Sequence, residues 1–244
     1  MLQIIPESIH YNIYNIPESL LMSWLVWAVL FIISFVVIKT FKFLPGKTQA
    51  FCEFCFEYVT NLADDLIGPQ ASRYYPLLLG IFFFVVISNL IGFIPGLTSP
   101  TSDAATTFSL VAIIFLYYNF DGIRLNGFKY FKHFAGPSMP IYLLPVRLLM
   151  VIMELINFIT RPFSLGLRLF INIFSKELLL ETLAVLLITF FVSHGLMNKS
   201  LFVMPLLLRP LIIILGMFIG IIQAIIFLVL SASYIAGAVN AEED

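Results

Sequence analysis

The sequence predicts an all-α integral membrane protein. About five membrane-crossing helices are expected, plus one helix lying along the membrane interface, and the last two crossings form a carboxyl-terminal hairpin of long, steeply tilted helices. Three observations carry this. Of the 244 residues, 61% are hydrophobic and 11% are charged; a soluble domain carries roughly 25% charged residues, so this chain cannot cover itself with a polar surface. Apolar runs of near 20 residues, the length that crosses about 30 Å of hydrocarbon, recur along it. Two segments in the second half are far too long for an upright crossing.

Taken in order, residues 19–38 form the first span, followed directly by Lys39, Lys42 and Lys47. The amino terminus before it has acidic residues and no basic cluster, so it does not read as a cleaved signal, and the first span is expected to be retained. Residues 48–66 set Glu53, Glu57, Asp64 and Asp65 among Phe51, Phe54, Phe56 and Tyr58, the pattern of an amphipathic helix at the interface. Residues 74–95 form the second span, ended by Pro95-Gly96, and the polar loop Thr98–Asp103 leads to a third span over 104–120. Arg124, Lys129 and Lys132 follow, with Gly136-Pro137 as punctuation. Basic residues gather after the first and third spans, so both loops belong on the cytoplasmic side or its organellar equivalent.

Residues 140–193 read as helix interrupted only by Pro145 and Pro162, and residues 201–239 as another. At 1.5 Å per residue they would reach on the order of 75 Å and 58 Å. Either both tilt steeply or each breaks in two, since ordinary tilts are about 20°. The loop Gly195–Ser200 makes them a hairpin. The whole chain is expected to be a single membrane domain.

Several function classes fall away. A net charge of −1 argues neither for nucleic acid nor for docking on anionic lipid. Cys52 and Cys55 form one CxxC with no second pair, so a zinc site is not expected; they read as two small apolar residues on a helix. The three histidines are scattered and give no haem-ligating pair within the spans. There is no phosphate-binding glycine loop. Neither a cofactor nor a metal is expected.

The chemistry concentrates in the hairpin. Arg168 sits in Ser164-Leu165-Gly166-Leu167-Arg168-Leu169-Phe170, inside a long apolar stretch. Guanidinium stays protonated at any working pH, and a mid-bilayer arginine costs about 2.5–3.5 kcal/mol on insertion scales. It needs an acidic partner, an aqueous cavity, or a reason to stay fixed. Glu154 lies within about 40° of the arginine's face and Arg161 within about 20°, with Ser164 and Asn172 at i−4 and i+4. Glu177 sits about 180° away and roughly 13 Å further along the axis. Two carboxylates at different depths, separated by a permanent cation, suit two half-channels that do not meet. Glu181 extends the same vestibule or faces headgroups. On the return helix Gly216, Gly220 and Gln223 share one face, so the face of closest backbone approach carries an amide able to bond a guanidinium.

Ser164-Leu165-Gly166-Leu167-Arg168-Leu169-Phe170-x-Asn172, with Glu177 nine residues after the arginine, resembles the a subunit of F-type ATP synthases. Asn89-Leu90-Ile91-Gly92-Phe93-Ile94-Pro95, Pro100-Thr101-Ser102-Asp103 and Gln223-Ala224-Ile225-Ile226-Phe227 are similar to three further motifs of that family, in its order. The resemblance implies a proton-translocating stator beside a rotating ring of c subunits, with b-type peripheral stalk subunits as further partners in an ATP synthase complex within the lipid bilayer. It implies that Arg168 faces the ring carboxylate, that Glu177 serves the uptake half-channel and Glu154 the release side, that Gln223 partners the arginine, and that Asn172 and Ser164 line the path. It leans toward a bacterial plasma membrane, with thylakoid or mitochondrial inner membrane as alternatives.

This sequence departs from the family pattern at three positions. Ile171 replaces a common glycine, Lys176 adds a cation to the uptake path, and Gly216 stands where some members have histidine. The rival reading is a secondary transporter whose Arg168 binds an anionic substrate. That class shows internal duplication and broken helices at matching positions, and neither is found here.

Overall fold

The computed structural model describes residues 17–40, 46–94, 96–127, 144–192 and 202–239. Six α-helices run through them: α1 Glu18–Thr40, α2 Lys47–Ile67, α3 Tyr75–Ile91, α4 Ala104–Asn126, α5 Leu144–Val192 and α6 Val203–Val239. Single 3₁₀ turns at Ala71–Arg73 and Pro100–Ser102 precede α3 and α4. There is no strand among the described residues. The hairpin loop at 195–200, the basic positions Lys42, Lys129 and Lys132, and the amino-terminal 16 residues lie outside those described.

By length and composition α1, α4 and α6 can cross a membrane, while α3 is apolar but has 17 residues, about 25 Å. Helix α5 carries Glu154, Arg161, Arg168, Lys176, Glu177 and Glu181, too many charges for an ordinary span. The choice between tilt and breakage is resolved. α5 is one helix of 49 residues running through Pro162, and α6 one of 37 running through Pro210. Each proline removes a single backbone donor without ending its helix. At about 74 and 55 Å, both must lie steeply inclined in any bilayer or extend beyond it.

Two elements differ from the sequence expectation. Helix α4 continues to Asn126 rather than stopping at residue 120, because Asp121 is drawn inside. It is 2% exposed, and its Oδ1 accepts from Arg73 Nη2 at 2.8 Å. Helix α3 stops at Ile91, not near residue 95. Phe93 and Ile94 N–H then bond back three residues to Leu90 and Ile91 carbonyls, tightening the chain into a turn.

Contacts divide the chain into two compact units. One takes in the described parts of Met1–Thr40, Phe83–Thr107 and Leu169–Ala224, and the other those of Phe41–Phe82, Phe108–Arg168 and Ile225–Asp244. In the second, α2 buries Val59, Ala63 and Ile67, at the i, i+4, i+8 spacing of one helix face. Its outer face presents Phe51, Phe54 and Tyr58. Cys52 and Cys55 are free and half-buried on this helix; burial, then the neighbouring Cys52, pushes the Cys55 thiol up, away from reactive thiolate. α2 ends at Gly68, whose φ of 82° lets its N–H reach the Asp64 carbonyl at 3.0 Å, a conformation that L side chains avoid. Most of its core is apolar or aromatic, with Tyr74, Leu78, Ile114, Leu165, Phe227, Leu228 and Ile235 fully buried, while Ser231 is buried with its hydroxyl on the Phe227 carbonyl.

The first unit is built differently. Helix α1 fully buries only Val26, and Trp27 packs against Phe84 at 5.5 Å. Its interior carries Ser88, Asn89, Ser99, Thr101, Thr107, Lys176 and Gln223, all buried. Where water is scarce, such groups are costly unless paired, and among the described residues Ser88 Oγ, Lys176 Nζ and Gln223 Nε2 have no hydrogen-bond partner.

Candidate functional site

The inward stripe of α5 is Leu165, Leu169, Ile173, Lys176 and Leu183, all buried. Relative to Leu165 these residues fall within about 80° of one direction at 100° per residue. Gly166 flanks that stripe on one side. A Cβ there would meet the Phe108 ring of α4 at 3.1 Å and Val111 at 3.3 Å, so the glycine lets α4 press close. Arg168 follows two residues later, about 200° round the helix, and is exposed. The close approach at Gly166 thus turns the guanidinium away from α4. Among the described residues Arg168 makes no ion pair and no hydrogen bond. Tyr234, whose hydroxyl donates to the Arg161 carbonyl at 3.4 Å, is near enough to feel its charge.

The release-side candidates share the second unit with Arg168. Glu154 Oε1 lies 3.7 Å from Arg161 Nη2, with the two side chains 29% and 51% exposed. The seven-residue spacing read from sequence as one polar face is therefore a spanned ion pair, and its exposure keeps it weak. Ser164 is exposed and donates to the Arg161 carbonyl at 3.2 Å. Glu181, in the other unit, is exposed.

Asn172, Glu177 and Gln223 fall together in the first unit. Asn172 Nδ2 donates to Gln223 Oε1 at 2.8 Å, joining α5 to α6. Gln223 is 2% exposed, and its Nε2 has no partner among the described residues. The glycine face of α6 is the close-approach face, as its spacing predicted. A Cβ at Gly220 would meet Asn89 Cβ at 3.3 Å, and one at Gly216 would meet Lys176 Cδ at 3.0 Å and Phe93 Cε1 at 3.1 Å. The absent side chain at 216 is the space that the Lys176 stem occupies. Its Nζ sits 4.1 Å over the Phe93 ring, a cation–π contact in place of a hydrogen bond.

Glu177 points to the turn between α3 and α4. Its Oε1 accepts from the Ser99 backbone N–H at 2.8 Å, and the Ser102 hydroxyl closes the same turn by donating to the Ser99 carbonyl at 2.7 Å. A Cβ at Gly92 would stand 2.9 Å from Ser99 Cβ and 3.1 Å from that same oxygen. The carboxylate is thus held by a neutral backbone donor of one short turn, beside a buried cation on its own helix.

A family model described as ATP synthase A chain matches residues 20–236. The chain belongs to the ATP synthase A chain family. Curated relatives agree across nearly its whole length. It is similar to ATP synthase subunit a of Sulfurihydrogenibium sp., 36% identical over 229 residues, covering 93% of this chain and 99% of that one. The subunit a of Aquifex aeolicus is 39% identical over 202 residues, covering 82% and 86%. That of Geobacter sulfurreducens is 34% identical over 223 residues, covering 91% and 88%.

The sequence alone singles out the carboxylate and misses what holds it. Asn89, Thr101 and Ser102 were visible as motif residues and Ser99 as part of the polar loop before them, but no role was assigned to any of the four. The signal was there: a run of small hydroxyl residues in a chain this apolar needs partners. Which carboxylate they meet depends on tertiary packing, and a backbone donor such as Ser99 N–H leaves no mark in sequence.

Proposed function

We propose that this chain is the proton-translocating stator of the ATP synthase membrane sector, holding two offset half-channels against a ring of c subunits. A proton enters near Glu177 and passes to a ring carboxylate. The ring turns, and the proton leaves toward Glu154. Arg168 favours the ionised ring carboxylate as it passes and, as a fixed cation, bars direct passage between the half-channels. Each charge moved across 100 mV releases about 2.3 kcal/mol, so a leak at that point dissipates the energy that drives rotation. Gln223 and Asn172 form a polar seam between α5 and α6, and Ser164 is exposed on α5. The peripheral stalk's b-type subunits are further partners, and the bacterial relatives favour a plasma membrane.

One observation carries this reading. Arg168 is an exposed guanidinium within an apolar stretch of α5, without an acidic partner among the described residues. A charge so placed requires its counter-charge from another molecule. Purification in mild detergent tests the setting: a two-helix proteolipid and soluble nucleotide-binding subunits should copurify. In inverted vesicles Glu177→Gln should reduce ATP-driven acidification to background. Full acidification in that variant would exclude Glu177 from the path.

A further inference from the structure

We propose that the α3–α4 turn is a clamp for the uptake carboxylate, in which Asn89, Ser99 and Thr101 act as positioning residues that index Glu177 to the Gln223 helix. The inference rests on the reading of Glu177 given above. Asn89 Nδ2 donates to the Gly220 carbonyl of α6 at 2.9 Å, and its Oδ1 accepts from Thr101 Oγ1 at 3.0 Å. Thr101 Oγ1 lies 2.7 Å from Ser99 Oγ, which donates to the Ser88 carbonyl at 2.8 Å. Thr107 Oγ1 donates to the Asp103 carbonyl at 2.8 Å, with the Thr101 carbonyl a longer second acceptor at 3.2 Å. Ser99 N–H then points at Glu177. With the Thr101 proton on Asn89 and the Ser99 proton on the Ser88 carbonyl, the contact between the two hydroxyls has no proton of its own, and the α6 backbone is joined to the carboxylate through Asn89, Thr101 and the short backbone link from Thr101 to Ser99.

Its burial separates this from an ordinary connecting turn. Asn89, Ser99, Thr101 and Thr107 are 1%, 2%, 0% and 0% exposed. A turn at the edge of a membrane bundle can satisfy its polar groups with water at no cost. Drawing four polar side chains inside is costly unless each is paired, and here each is. Two glycines make the arrangement possible, since Gly220 admits Asn89 to the α6 backbone and Gly92 admits Ser99 to Glu177. Gly220 lies three residues before Gln223, so the clamp fixes the distance between the uptake carboxylate and the Asn172–Gln223 seam. The charged groups nearest Glu177 are Lys176 and Glu181, both on α5, and Glu18 on α1 reaches the turn only at Thr98, 3.5 Å away. The turn itself offers the carboxylate a neutral donor, the Ser99 backbone N–H.

The test uses the assembled complex in inverted vesicles, with the nucleotide-binding sector stripped so that passive proton conduction is measured. The amount of this chain per complex, the maximal rate and the proton concentration for half-maximal rate are all recorded. Thr101→Val keeps the shape and removes the hydroxyl. It should lower conduction per complex at least fivefold and reduce the half-saturating proton concentration at least threefold, because a carboxylate with fewer donors holds its proton more tightly. Thr101→Ser should recover most of both changes. Wild-type values in assembled Thr101→Val, or equal loss in Thr101→Ser, would overturn the clamp. Should Thr101→Val fail to assemble, Ser99→Ala removes the hydroxyl that anchors the turn to the Ser88 carbonyl and leaves the Asn89–Thr101 bond standing; it must then shift the half-saturating concentration, and an unshifted value overturns the clamp. Normal conduction in Glu177→Gln would instead sink the underlying functional reading.

Discussion

Gly92→Ala is the smallest change that should disturb proton uptake. It adds one methyl, 2.9 Å from Ser99 Cβ and 3.1 Å from Glu177 Oε1, where carbon–carbon contact is comfortable at about 3.5–4.0 Å. Ser99 cannot yield freely. Its N–H is committed to Glu177 and its hydroxyl to the Ser88 carbonyl, both at 2.8 Å. Forcing a methyl into such a site costs about 1–3 kcal/mol. If Glu177 swings away instead, a hydrogen bond to a charged group worth about 1.5–3 kcal/mol is lost. Either route leaves the carboxylate misplaced, and about 1–3 kcal/mol corresponds to a rate loss of about 5- to 150-fold. The assay is the initial rate of ATP-driven acidification of inverted vesicles, normalised to complex content. A rate within twofold of wild type in Gly92→Ala, with Glu177→Gln inactive, would refute the argument that the turn sets the carboxylate's position.

Two further outcomes follow from the packing. Gly216→Val should crowd the Lys176 stem and the Phe93 ring, cutting acidification about tenfold for a cost near ~1–3 kcal/mol, and adding Lys176→Ala should recover part of the loss because it empties the same space; additive losses in the double variant would contradict the shared cavity. Arg73→Ala should leave the buried Asp121 carboxylate unpaired and lower stability by about 1–3 kcal/mol, read as earlier loss of this chain from the purified complex on heating; Asp121→Asn combined with it should recover part of that stability, and unchanged heat resistance in Arg73→Ala would show the pair to be dispensable.

The architecture was legible because membrane helices are long and uniform. Apolar run length placed α1 and α6 within two residues at each end, and amphipathic spacing placed α2 within one. Length alone required two helices that do not stand upright. The ends of α3 and α4 were missed because tertiary contacts set them: Gly92 turns the chain toward Ser99, and Arg73 holds Asp121 inside a helix that sequence would have stopped. Within the site, angular arithmetic separated the faces of Arg168 and Glu177 and identified the Gly216–Gly220–Gln223 face. Lys176 was read as a cation added to the uptake path, whereas its stem fills the space left by Gly216 and its ammonium sits on an aromatic ring. Only the fold could bring those three residues together, since they come from α5, α6 and the turn after α3.

The central claim is that Arg168 faces outward because a moving partner's carboxylate must meet it there. Arg168→Ala, assembled into complexes that retain ATP hydrolysis, should give no ATP-driven acidification of inverted vesicles and no ATP synthesis under an imposed proton gradient. Coupled pumping at the wild-type rate in that variant would contradict the account.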